Sequence, residues 1–271
     1  MTLVAAQAER NESLLTWFKA NSRDLPWRRS TDPYPVLLSE VMLQQTQVSR
    51  VLPKFEAFME HWPTIESLAA ARTDELLRVW SGLGYNSRAL RLQDAARWIT
   101  RSGWPDTLAG LCELPGVGSY TAAAVGAISF GIDVPAVDTN LTRILSRWAG
   151  EPLSGAMLSE YAYEVVGTPA GDWNQALMDL GSAVCIRQAP MCSACPVSEW
   201  CGDPTVYEPP PRQSRFEGSH RQLRGALLHA HLNGTDLHDI GRALNRSDTE
   251  IALALSALED EGLIDVVLRD T

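Results

Sequence analysis

The chain has 271 residues, 45% of them hydrophobic, and a net charge of −10. That length supports one large or two modest cores, no apolar run is long enough to span a bilayer, and the acidic balance argues weakly against a nucleic-acid partner while allowing a local basic face. Of 23 cationic residues only Lys19 and Lys54 are lysines, so chemistry through a lysine Schiff base has two side-chain candidates.

Helical periodicity governs the chain from Ser13 to about Cys185, with predicted helical segments at 35–59, 65–80, 89–99, 119–129 and 140–148. Strand-like alternation is scarce. Turn signals at Gly82 and Gly84, Trp104-Pro105, 115–118 and Pro152 separate the segments, which gives an all-α body. In the first segment Glu40 lies in an apolar run, with Val36 and Leu37 one turn before it and Leu43 one turn after. Facing inward, its carboxyl would be desolvated and stay protonated near neutral pH; facing outward, it would be an ordinary solvated glutamate.

Leu114-Pro115-Gly116-Val117-Gly118 joins two helical segments. Its glycines allow outward backbone amides at a helix start, which suits a phosphate, and they equally fit a tight interhelical turn. Asp138 precedes the segment carrying Leu141, Ile144 and Leu145. It reads as an N-cap whose carboxylate is held negative, and such a charge also suits a cationic transition state.

Cys185, Cys192, Cys195 and Cys201 follow the spacing C-x6-C-x2-C-x5-C. One short clip flanked by longer gaps fits an iron–sulfur cube better than the paired C-x2-C clips of structural zinc sites. A disulfide framework is disfavoured by the count of five cysteines and the lack of an apolar leader after Met1, so a reduced, cytosolic protein is expected. Cys112, the fifth, reads as a small core residue.

Beyond Cys201, Asp203-Pro204 and Glu208-Pro209-Pro210-Pro211 mark a stiff linker, 203–217. The unit after it, 218–271, reads as helices 222–232, 239–244 and 249–261, with Asp248 or Thr249 as a cap, then a strand at 264–268. That order resembles a winged helix-turn-helix, although a plain packing module has the same elements. Arg212, Arg215, Arg221 and Arg224 form a basic cluster that fits either phosphate contact or a solvated linker.

Hairpin, cysteine loop and Asp138 together resemble the helix-hairpin-helix DNA glycosylases of the endonuclease III superfamily. The stretches 38–48 (LSEVMLQQTQV), 82–85 (GLGY) and 176–181 (ALMDLG) look specifically like its adenine DNA glycosylase (MutY) family, in chain order from about Leu25 to Cys201. The resemblance implies a six-helix barrel module with the hairpin (25–134) and a [4Fe-4S] cluster module (1–24 and 135–202) held by the four cysteines. It implies excision of adenine opposite 8-oxoguanine or guanine, with Glu40 as proton donor and Asp138 opposing the sugar cation, or bonding transiently to it. Tyr120 and Asn140 would support them. Tyrosine at 120, where strand-cleaving relatives carry lysine, implies a monofunctional enzyme. Trp27, Arg28, Leu43 and Gln175 would line the adenine pocket. Gln44, Gln45, Tyr85, Leu114, Gly116, Val117 and Gly118 would contact double-stranded DNA holding an A mispair, with Gln45 and Tyr85 as wedges that fill the gap left by an extruded base.

A cytoplasmic, nucleoid-associated monomer without membrane contact is expected. Asn86 departs from the family's second tyrosine, and the short tail departs from the larger C-terminal domain that many members use to check for oxidised guanine. Two other readings stand beside this one: a thymine glycosylase acting on T opposite G, and an iron–sulfur DNA-binding redox regulator.

Overall fold

The computed structural model describes residues 3–206 and 214–264, and no strand occurs among them. The chain divides into two compact units, Met1–Glu40 with Trp104–Pro210, and Val41–Gly103 with Pro211–Thr271. Among the described residues no helix is long and apolar enough to cross a membrane.

In the first unit, α1 (Leu3–Asn21) leads through a 3-10 turn, Pro26–Arg28, into α2 (Pro33–Leu43), whose last turn passes into the second unit. The remaining helices are α7 (Leu108–Cys112), α8 (Ser119–Ser129), α9 (Thr139–Ala149), α10 (Gly155–Val165) and α11 (Ala170–Ala183). α11 is the hub and packs on α1, α8 and α9. Its Trp173, Ala176, Leu177 and Leu180 meet Leu14 of α1 and Leu141, Ile144 and Leu145 of α9 in one buried cluster. Fully burying such side chains contributes roughly 1.5–3 kcal/mol each. Trp173 keeps its polar edge satisfied by donating Nε1–H to Asn11 Oδ1 at 3.1 Å. Close packing of α9 on α11 depends on Gly181, where a Cβ would lie 2.7 Å from Asn140 Cβ. Cys112 ends α7 in solvent, not in the core as expected, because the inward positions of that short helix and its turn go to Leu111 and Leu114.

The second unit contains α3 (Val48–His61), α4 (Ile65–Ala69), α5 (Thr73–Trp80) and α6 (Ser87–Ser102). Two predicted segments are each broken in two. Segment 35–59 turns at Gln45, which adopts a left-handed backbone (φ 55°). Segment 65–80 breaks after Ala69, where the buried Gln93 amide donates to the carbonyls of Leu68 and Ala71 and so satisfies the end of α4 from outside the helix. Phe58 anchors the core, edge-on to Trp62 and Trp80 at 4.8 and 5.8 Å between centroids.

The tail belongs to the same unit: α12 (His220–Asn233), α13 (Leu237–Ala243) and α14 (Asp248–Asp260) pack together, and α12 also packs on α5. Arg78 of α5 donates to Leu232 O at 2.9 and 3.3 Å. The cap of α14 is Ser247, one residue before Asp248 and two before Thr249, because Ser247 and Glu250 form a reciprocal capping box. All but the first residue of the predicted strand 264–268, and Arg212, lie outside the described residues.

Candidate active site and cysteine loop

Glu40 occupies the inward face of α2 and is 6% exposed. Burial raises its pKa from 4.5 to about 7; a hydrogen bond from the Tyr120 hydroxyl and the Arg28 charge pull the other way, while nearby Asp138 pushes it further up. Tyr120, in the first turn of α8, is driven upward by burial and by these two carboxylates, so it stays a neutral donor. Glu40, Tyr120 and Asp138 therefore share one electrostatic site within the first unit.

Asp138 caps α9. Its Oδ1 accepts from Asn140 N (2.8 Å) and Leu141 N (2.7 Å), and its Oδ2 accepts from Asn140 Nδ2 (3.0 Å). The cap is the expected one. Its effect on charge is not: burial outweighs these donors and Arg143, so the Asp138 pKa lies above its ordinary value rather than below it. The preceding segment is pinned by Asn174 of α11, wholly buried, which accepts from Ala136 N (2.8 Å) and donates to Val134 O (2.9 Å). Sequence reading missed this clamp. Its only signal was an asparagine among the apolar residues of α11.

Arg28 is held from behind rather than solvated. It donates to Asp179 in bidentate fashion at 2.7 and 2.9 Å, and Arg23 adds Nε at 2.6 Å. Asp179 is 2% exposed; although burial raises its pKa, the arginines hold it below the usual value. Trp27 is buried and Gln175 half-buried in the same unit. Leu43, Gln44, Gln45 and Tyr85 belong to the second unit, with Gln45 and Tyr85 exposed on left-handed backbone (φ 55° and 48°).

The hairpin between α7 and α8 is anchored by buried Leu114 and Val117, whose backbones close a turn (Val117 N to Leu114 O, 3.0 Å). Gly116 (φ 76°) and Gly118 stay exposed at the start of α8. Only glycine adopts the first conformation readily, and the free amides of the helix start favour an anion.

Cys185, Cys192, Cys195 and Cys201 line one cavity of about 80 Å³, walled by Trp148, Leu180 and Val184. Among the described residues no three His, Cys, Asp or Glu side chains converge as for a single metal ion; the thiols surround a space instead. Burial and the other cysteines push Cys201 up to about 11, and Cys195 also rises, so these sulfurs need positive charge nearby to become thiolates. Four soft sulfur donors around one cavity are the donor type of an iron–sulfur or zinc centre.

Asn140, Arg143 and Arg147 share one face of α9. Arg143 links Asn140 Oδ1 (3.0 Å) to the carbonyls of Gly181 (2.7 Å) and Cys185 (2.8 Å), and Arg147, 1% exposed, donates to Cys185 Sγ at 3.0 Å. Their spacing on a predicted helix was the signal for both, and it went unread.

A buried, protonatable acid, a second carboxylate on a helix cap and a glycine-bearing hairpin at a helix start thus lie in the first unit. Residues 38–164 match the HhH-GPD superfamily of base excision DNA repair proteins. The adenine DNA glycosylase of Mycobacterium tuberculosis is 36% identical, over 95% of this chain and 88% of that protein. A solved thermostable thymine-DNA glycosylase is 29% identical with a TM-score of 0.67, covering 73% of this chain and 95% of its own. An endonuclease III–DNA covalent intermediate, at 21% identity and a TM-score of 0.63 over 75% and 98% of the two chains, shares the fold. The chain belongs to the adenine DNA glycosylase family of this superfamily.

Proposed function

We propose that the chain is a monofunctional DNA glycosylase that removes adenine opposite 8-oxoguanine or guanine by hydrolysing the N-glycosidic bond, leaving an abasic site. Its relatives support adenine excision. The observation that carries the mechanism is Glu40, buried beside Tyr120 and Asp138 with a pKa of about 7. Glu40 protonates a ring nitrogen of the leaving adenine as the C1′–N bond breaks, and Asp138 opposes the positive charge that develops on the sugar. Tyr120 orients the Glu40 carboxyl by donating its hydroxyl to it, and Asn140 orients Asp138. Water then bonds to C1′ and returns a proton to Glu40. No lysine follows Lys54, which argues against a Schiff-base strand break.

DNA reaches the site as a duplex gripped by Leu114, Gly116, Val117 and Gly118, with Gln44, Gln45 and Tyr85 entering the stack and Trp27, Arg28, Leu43 and Gln175 receiving the adenine. The cysteine loop holds a [4Fe-4S] cluster in the module formed by 1–24 and 135–202. Bound there, the cluster supplies the positive charge that keeps four thiolates together and thereby folds the loop. The proposed chemistry consumes no electrons. The protein acts as a monomer.

The test is single-turnover base release from duplexes bearing A opposite 8-oxoguanine, A opposite G, A opposite C and T opposite G, with and without alkali. Loss of A opposite 8-oxoguanine with breaks only after alkali supports the reading. Loss of T instead would assign the thymine branch, and no release from any duplex would remove the enzymatic assignment.

A further inference from the structure

Arg88, in the first turn of α6, is 8% exposed, and among the described residues no carboxylate pairs with it. Its charge is satisfied by backbone carbonyls alone, apart from one hydroxyl. Nη1 donates to Val41 O (2.6 Å), Met42 O (3.3 Å) and Gln44 O (2.6 Å); Nη2 to Gly84 O (3.0 Å), Leu83 O (3.3 Å) and Thr46 Oγ1 (3.4 Å); and Nε to Tyr85 O (3.4 Å). The first group of carbonyls ends α2 and the second follows α5. Both are carbonyl-rich helix ends whose partial negative charge suits a cation. The guanidinium also lies 5.3 Å from the Trp80 ring centre and 5.6 Å from that of Tyr85. Thr46 adds a direct tie, its hydroxyl meeting Gln44 O (3.2 Å) and Leu83 O (3.3 Å).

Two loops thus close on one side chain. Each contains a non-glycine residue on left-handed backbone, Gln45 in one and Tyr85 in the other, a conformation costing about 1–3 kcal/mol that persists only where its surroundings enforce it. We infer that Arg88 is a positioning residue for base extrusion: it sets the spacing of the two loops so that Gln45 and Tyr85 enter the duplex together, without itself touching DNA. This rests on the wedge reading of those two residues.

Lysine cannot replace it, because three donors on a single nitrogen cannot span carbonyls on both loops. The test compares Arg88→Lys, Tyr85→Ala and wild type on two substrates, A opposite 8-oxoguanine in a duplex and an unpaired bulged adenine that is already partly unstacked. Misplacing a positioning element by about 1 Å costs up to about 100-fold. The expected result is a loss of at least about tenfold on the duplex for Arg88→Lys, no more than about threefold on the bulge, and an unchanged circular dichroism spectrum. Equal losses on both substrates, or none, would overturn the inference, provided Tyr85→Ala shows the selective loss. If Tyr85→Ala is equally unselective, the wedge reading itself fails and takes the inference with it. Should Arg88→Lys not fold, Thr46→Ala decides: it removes only the hydroxyl tie, a selective duplex loss supports the inference, and an unselective one or none opposes it.

Discussion

Glu40→Gln separates catalysis from stability, because one buried carboxyl controls both. Burial raises its pKa from 4.5 in an exposed chain to about 7 in the fold. The folded state therefore binds the Glu40 proton more tightly than the unfolded state, so the stability tied to this group is complete below about pH 4.5 and is lost as pH rises through about 7. At about 1.4 kcal/mol per pKa unit, the ionised side chain costs the fold on the order of 3 kcal/mol at pH 8. Glutamine has nearly the same shape and no charge to bury. The variant should melt at least about 5 °C above wild type at pH 8 and close to it at pH 5. Turnover moves the other way: without a transferable proton, single-turnover adenine release should fall by about 100-fold to 10,000-fold. The wild-type rate should itself decline above neutrality, since about half of Glu40 is protonated at pH 7 and about a tenth at pH 8. Thermal melts at the two pH values and a rate profile from pH 5.5 to 9 measure all three. A variant no more stable than wild type at pH 8, together with a flat wild-type profile, would refute the argument that burial sets this proton.

Three further outcomes follow from contacts elsewhere. Asp138→Asn should abolish measurable base release while leaving affinity for mispaired duplex within about threefold, because the cap can still accept from the α9 amides; fluorescence anisotropy with single-turnover kinetics checks this. Asp179→Ala leaves Arg23 and Arg28 without their carboxylate and should cost about 3 kcal/mol in a denaturant titration, toward the lower end for a buried pair because Arg23 is partly exposed. Arg221 of α12 reaches Ser214 O (2.7 Å) and the Tyr85 hydroxyl (3.4 Å). Arg221→Ala should weaken binding similarly across duplex sequences and lower the slope of log affinity against log salt by about one; an unchanged slope would place this arginine off the DNA.

Short-range chemistry was legible in the sequence. The spacing of the four cysteines, the period of α8 and α9, the hairpin glycines, Asp138 before an apolar helix and Glu40 among apolar neighbours all depend on residues a few positions apart, and α8 and α9 formed where expected. The helix breaks were not legible. Gln45 turns the chain inside a segment that reads as helix, and Gln93 ends α4 from a different helix. The site's support was hidden for the same reason: Arg28 meets Asp179 across 151 residues, Asn174 clamps the segment before Asp138 across 38 to 40, and Arg88 collects carbonyls up to 47 residues away. Asp138 shows the division within one side chain. Local sequence determined its cap, but the sign of its pKa shift came from burial, which depends on what the rest of the chain packs around it. Periodicity and capping are properties of consecutive residues, whereas desolvation and long-range hydrogen bonding exist only once distant segments share a core.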